Sequence, residues 1–118
     1  MVTEVKTHKD LEVWKQSIDL VTDIYRITEG FPKNEGFGLT SQIRRASVSV
    51  PANISEGAAR NSTKEFIQFL YIGLGSLSEL ETLLIISENL RFIQSEPFLN
   101  RITALRKMLI RLIQSLRR

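Results

Sequence analysis

Between Ser41 and Arg60 the chain reads SQIRRASVSVPANISEGAAR, a continuous helical pattern with a proline near its centre. Ser41, Arg45, Ser49, Asn53, Glu56 and Arg60 recur at three- or four-residue steps and form one stripe of a helix. Ile43, Ala46, Val50, Ile54 and Ala58 form a second, apolar stripe of mostly modest size. Pro51 lacks a backbone N–H and its ring presses on the preceding turn, so a kink is expected there, at about 3 kcal/mol in an ordinary helix interior. Ser47, Ser49, Ala52 and Ser55 around it are small, which lets a bent helix lie close to its neighbours. Such a helix persists only when packed. Its polar stripe must find partners within a bundle, in another subunit or on a ligand.

Three further segments carry helical periodicity. The first is read from about residue 10 to residue 29, on Leu11, Trp14, Ile18, Val21, Tyr25 and Thr28. Asp10 is its expected N-cap, and Gly30 with Pro32 its stop. The proline-containing helix is read over about 39–60, with Gly57 and then Asn61 marking its end. The next helix, about 62–91, opens on Ser62-Thr63-Lys64-Glu65, a capping-box pattern, and spans roughly 40 Å. Phe66, Phe69 or Leu70, Gly73, Leu77, Leu80 and Leu84 form its main stripe; Ile67, Leu74, Ser78, Glu81 and Ile85 form an adjacent one. Gly73 and Gly75 cost about 1 kcal/mol each against Ala, so they are expected where another helix approaches closely. The last helix, about 95–116, starts at Ser95 as N-cap with Pro97 in its first turn. Phe98, Ile102, Leu105, Leu109, Leu112 and Leu116 follow a heptad, with Leu99, Ile110 and Ile113 off the seam. In the first connection, FPKNEGFG, Phe31 and Phe37 are expected to cap the end of a core.

One domain of 118 residues is long enough to bury a core without staples. The expected fold is all-α, an up-down-up-down four-helix bundle. The apolar positions on the third and fourth helices exceed what one bundle core needs, and homo-oligomerisation is the simplest account of them. The N-terminal residues MVTEVKTHKDLEVW are mixed in charge and lack an apolar signal region. Glu79 and Glu81 interrupt the long apolar stretch, so no membrane span is expected. A cytoplasmic protein is expected.

The residue inventory rules out much chemistry. With no cysteine, thiol catalysis, disulfides and iron–sulfur clusters are excluded. A di-iron bundle needs Glu-x-x-His pairs on two helices, whereas His8 is the sole histidine. A Ser–His–Asp triad would have to use that same residue, which is expected on the surface of the N-terminal arm. Gly36-Phe37-Gly38 lacks the lysine and strand of a phosphate loop. Glu79 and Glu81 lie on different faces of one helix, so they cannot work as a carboxylate pair. The chain is expected to be no enzyme, with no cofactor and no metal.

The net charge of +3 is unevenly spread. From Ser95 onward Glu96 is the lone acid against Arg101, Arg106, Lys107, Arg111, Arg117 and Arg118. Such a segment fits either a solvated helix face or an anionic partner, most often nucleic acid. In the second reading these six residues, with Lys9, Lys15 and Arg44, make a candidate surface for RNA or DNA. No aromatic is interleaved among them, so it would read phosphate charge and not base sequence. The stripe Ser41, Arg45, Ser49, Asn53, Glu56, Arg60 likewise has two readings: a polar network specifying one packing, or a surface for RNA, DNA or protein. In the network, Glu56 would pair with Arg60 or a neighbouring arginine, and Asn53 would satisfy backbone groups freed by Pro51.

The segments HKDLEVW (His8 to Trp14), FP (Phe31-Pro32), GFGLTSQIRRA (Gly36 to Ala46), SVPANISEG (Ser49 to Gly57) with Arg60, and GSLSEL (Gly75 to Leu80) resemble the four-helix-bundle proteins encoded by intervening sequences in bacterial 23S rRNA genes. The likeness extends to about Ile93, and SQIRRA and SVPANISEG are its specific part. His8 stands where many members have Phe or Tyr, and Ser55 where Ala is usual. The resemblance implies an all-α bundle assembling into a ring, a pentamer, with no known enzymatic activity. Related bundle proteins are accessory subunits of diversity-generating retroelements, where a positively charged ring engages nucleic acid and a reverse transcriptase. It thus implies two functions: nucleic-acid association through a basic surface, or a scaffold that docks a reverse transcriptase or another partner.

Overall fold

The helical periodicity resolves into four helices in a computed structural model that describes residues 11–118. They are α1 (Glu12–Thr28), α2 (Leu39–Ala58), α3 (Thr63–Asn89) and α4 (Glu96–Leu116), with a 3-10 turn at Lys33–Glu35. Each helix packs against its neighbours in sequence, and α4 closes the bundle against α1. The molecule is an all-α four-helix bundle, a rod 48 × 23 × 19 Å. The expected bounds run one or two residues long at most ends. Asp10, the expected N-cap of α1, lies outside the described residues, as do His8 and Lys9; Leu11 is the observed N-cap.

The core is a continuous apolar column. Leu20, Ile24, Ile43, Ile54, Leu70, Leu77, Leu80, Leu84, Ile102, Leu105 and Leu109 are at most 1% exposed. Truncating such a residue to Ala typically costs about 2–5 kcal/mol. The expected main stripes of α2 and α3 are the buried ones, apart from Ala58, Phe66 and Phe69, which are only partly covered. Two other stripes are corrected. On α1 the buried line is Val13, Ser17, Leu20, Ile24 and Thr28, so Trp14, Ile18, Val21 and Tyr25 stand one position off it. Ser17 and Thr28 read as polar, but each donates back to its own helix, to the carbonyls of Trp14 and Ile24, both at 2.7 Å. Their hydroxyls are thereby satisfied, and burial is open to them. On α4 the buried line is Ile102, Leu105, Leu109 and Ile113. A straight helix advances 3.6 residues per turn, so the heptad slips and Ile113 replaces Leu112 in the core.

The glycines divide differently from expectation. Gly75 is open: an added Cβ would meet nothing within 4 Å. At Gly73 the added atom would lie 3.9 Å from Leu109, an ordinary contact. The close approach is at Gly57, inside α2, where a Cβ would fall 2.7 Å from the Phe69 Cβ and 3.0 Å from the Phe66 ring. Gly57 therefore lets α2 seat on α3. α2 continues through Pro51, whose ring is buried.

The helix ends are specified locally. The Ser62 hydroxyl accepts from the Glu65 amide at 3.1 Å, as the capping pattern requires. α3 closes with Arg91 in the left-handed region at φ 65, and with paired bonds from the Arg91 amide to the Glu88 carbonyl and the Phe92 amide to the Ser87 carbonyl. This turn delivers Phe92 onto Phe31, ring centroids 5.5 Å apart. Phe31 is buried and caps the core as expected; Phe37 does not, being fully exposed. Ser95 does not cap α4 with its side chain. It is buried, and its amide and hydroxyl both donate to Glu88 Oε1, at 2.9 and 2.7 Å. Those two bonds, the backbone one foremost, hold the Glu88 carboxyl below its ordinary value.

Two outcomes test this packing. Gly57→Ala is expected to destabilise by about 1–3 kcal/mol through overpacking, while Gly73→Ala is tolerated; thermal unfolding of the two variants decides it. Because the folded pKa of Glu88 is depressed, its contribution is complete above the ordinary value of 4.5 and is lost as pH falls through the lowered folded value. The gap in melting temperature between the wild type and Glu88→Ala should be open at neutral pH and close on acidification.

Candidate nucleic-acid interface

The described residues of the candidate basic surface fall into two groups. One group is tied into the bundle. Arg101 donates to Asp23 at 2.8 Å, joining α4 to α1, and Arg106 donates to Glu81 at 3.0 Å, joining α4 to α3. The Arg106 and Glu81 side chains are 28% and 33% exposed, so this pair is partly shielded from water. Arg44 bonds the Thr28 hydroxyl at 2.9 Å and the Tyr25 carbonyl at 3.1 Å, with its guanidinium 4.5 Å from the Tyr25 ring centre. It spans α2 and α1. Arg117 reaches back to α3, donating to the Tyr71 hydroxyl at 2.9 Å and lying over that ring.

The second group faces solvent. Lys107, Arg111 and Arg118 are all exposed, and their spacing of four and seven residues sets them on one outer stripe of α4 and its C-terminal end. Arg111 makes only a long 3.4 Å contact to the Lys107 carbonyl, within its own helix. Among the described residues neither the Lys107 nor the Arg118 side chain has an ion-pair partner. Lys15 is exposed on α1. Lys9 lies outside the described residues. Sequence spacing alone could not divide the arginines, because the dividing factor is the carboxylate on the facing helix: Asp23 and Glu81 are far away in sequence.

The polar stripe of α2 is three local arrangements and not one network. At its centre Ser49 and Ser76 hydroxyls meet at 2.8 Å across the α2–α3 contact. Asn53 donates to both the carbonyl and the hydroxyl of Ser49, at 2.8 and 2.9 Å. The carbonyl that Pro51 deprives of a donor is that of Ser47, so Asn53 does not fill the role expected of it. At the C-terminal end Glu56 and Arg60 pair at 3.4 Å in solvent, with Arg60 over the Phe69 ring at 4.8 Å. Such an exposed pair adds little stability. At the N-terminal end Arg45 lines an open cleft of about 320 Å³ with Gln42, Ala46, Ser49 and Glu79. Ser41 is half-buried nearby. Among the described residues no group of three or more His, Asp or Glu is placed to hold a metal ion.

The fold and this surface define a four-helix-bundle protein whose last helix presents its unpaired cations outward. The chain belongs to the family of 23S rRNA-intervening sequence proteins, whose family model matches residues 9–111. A solved structure from Bacteroides thetaiotaomicron, described as a protein of unknown function from the S23 ribosomal protein family, is similar at 27% identity and a TM-score of 0.78, covering 86% of this chain and 95% of that one. No curated protein matches the chain.

If Arg106 serves the bundle, its pairing with Glu81 is measurable without any ligand. A double-mutant cycle with Arg106→Ala and Glu81→Ala should return a coupling of about 0.5–1 kcal/mol, read by denaturant unfolding. A coupling of zero would release Arg106 to the outward group.

Proposed function

We propose that this protein is a non-catalytic, cytoplasmic, homo-oligomeric RNA- or nucleic-acid-associated protein that contacts the phosphate backbone through the outer face of α4. One observation carries the reading: Lys107 and Arg111 share an exposed stripe on a helix that has no acid beyond Glu96, and exposed Arg118 follows just past its end. Past Glu96 and Pro97, the outer face of α4 adds only Asn, Thr, Ala, Gln, Ser and Ile to them, so contact would depend on charge. Affinity should then fall steeply with salt, because each phosphate neutralised releases counterions. Arg101, Arg106 and Arg44 are assigned to holding the helices together. In a ring of the kind the family resemblance implies, a pentamer, the stripe would repeat around the assembly and multiply a weak contact.

A second reading, a scaffold that docks a reverse transcriptase or another protein, is favoured by a different surface. α3 exposes Tyr71, Ile72, Ile85 and Ile86 to solvent at 42–52%. An apolar face suits a protein partner and not a phosphate chain.

The two readings separate by charge reversal. Fluorescence anisotropy with a structured RNA should show binding whose slope of log K against log salt drops by about 0.9 for each phosphate contact removed in Lys107→Glu, Arg111→Glu and Arg118→Glu. No binding at low salt, or binding indifferent to salt and to these substitutions, would overturn the nucleic-acid reading and leave the scaffold.

A further inference from the structure

α3 spends one face on the core and leaves the other largely bare, with Arg117 over Tyr71 at one end. Tyr71, Ile72, Gly75, Thr82, Ile85 and Ile86 follow the outward stripe, all exposed. A solvated helix normally carries charges there. Of the three acids between Tyr71 and Leu90, Glu81 pairs with Arg106 and Glu88 accepts from Ser95. Glu79 is exposed and has no side-chain partner among the described residues. On α2, Arg44 is held by α1 and Arg60 pairs with Glu56. Arg45 is exposed and, like Glu79, has no partner among the described residues. These two residues line the same open cleft between α2 and α3, beside the apolar stripe.

We propose that the outer face of the α2–α3 hairpin is covered by a second copy of this chain, with Arg45 of one copy paired to Glu79 of the next. The inference rests on the homo-oligomeric part of the functional reading and assigns its surface. Charge complementarity selects the occupant. The face carries one free cation and one free anion, while Glu56 and Arg60 on the same α2 stripe pair with each other, so it complements a copy of itself. A nucleic acid would find Arg117, at the edge over Tyr71, as the excess positive charge, and a lipid core would have to bury both ions. Size agrees. From Tyr71 to Leu90 the strip is about 28 Å long and two helices, about 20 Å, wide, on the order of 600 Å² against about 800 Å² per partner in a stable interface. Gly75 and Thr82 keep the middle of the strip low, so a neighbouring helix can approach it.

The test is a charge exchange read by size-exclusion chromatography with light scattering. Wild type should run as an oligomer. Arg45→Glu and Glu79→Arg, each alone, should weaken association by roughly tenfold or more through like-charge contact, while circular dichroism melts show both still folded. An equimolar mixture of the two variants should recover mass well above that of either alone, since the glutamate introduced in one chain then meets the arginine introduced in the other at all but one seam of a five-membered ring; an ion pair within one chain cannot be restored by mixing. An oligomeric wild type unaffected by either substitution would overturn this surface and leave the oligomer standing. A monomeric wild type would overturn both, and a monomer that co-sediments with neutral phosphatidylcholine vesicles would assign the α3 face to lipid.

Discussion

The close contact of α2 with α3 is the constraint on which the rest of the bundle depends. It is the most extensive helix pairing in the molecule. At Gly57 a single Cβ would collide with Phe69 and Phe66, and at Ser49 a hydroxyl pair crosses to Ser76. Between these two points Val50, Pro51 and Ile54 of α2 are buried, and the pairing of an apolar column with a satisfied polar patch fixes the register of the two helices. Once α2 is seated, Arg44 draws α1 in through Thr28 and Tyr25. At the other side, the α3 turn at Arg91 and the Glu88–Ser95 bonds aim α4 back along the bundle.

That arrangement decides what the charges can do. On an isolated helix every cation of the basic terminal segment would be without a partner. In the bundle, Asp23 and Glu81 stand opposite two of its arginines and turn them into inter-helix ties, and Tyr71 receives a third. What remains outward is a narrower stripe on α4. The outer face of α3 is apolar and meets Arg117 at Tyr71, so one molecule presents two surfaces of different character, one cationic and one apolar.

Much of the fold is legible in the chain. The periodicities of α2 and α3, the Ser62 capping pattern and the core role of Phe31 all follow from local rules, and SQIRRA and SVPANISEG point to the family. The departures share a cause: each depends on what faces the residue across the bundle. Ser17 looks like a surface residue, yet a self-bonding hydroxyl costs little to bury. Gly57 reads as a stop because nothing local announces Phe69 above it. The α3 terminus carries no glycine at its left-handed position, so Arg91 gives no signal for the turn that it makes. Of the candidate site, the spacing of Lys107, Arg111 and Arg118 on one face is legible, but their separation from Arg101 and Arg106 is not, since the distinguishing acids lie on other helices.

The central claim is that the arginines of this chain divide into ties and contacts, with only the outer stripe of α4 meeting nucleic acid. Photo-crosslinking to a 4-thiouridine-substituted structured RNA, with the crosslinked peptides mapped by mass spectrometry, tests it most directly. The account predicts adducts concentrated on the segment from Lys107 to Arg118. Adducts concentrated on the outer face of α2 and α3 around Arg45 and Ile72, with none on α4, would contradict it.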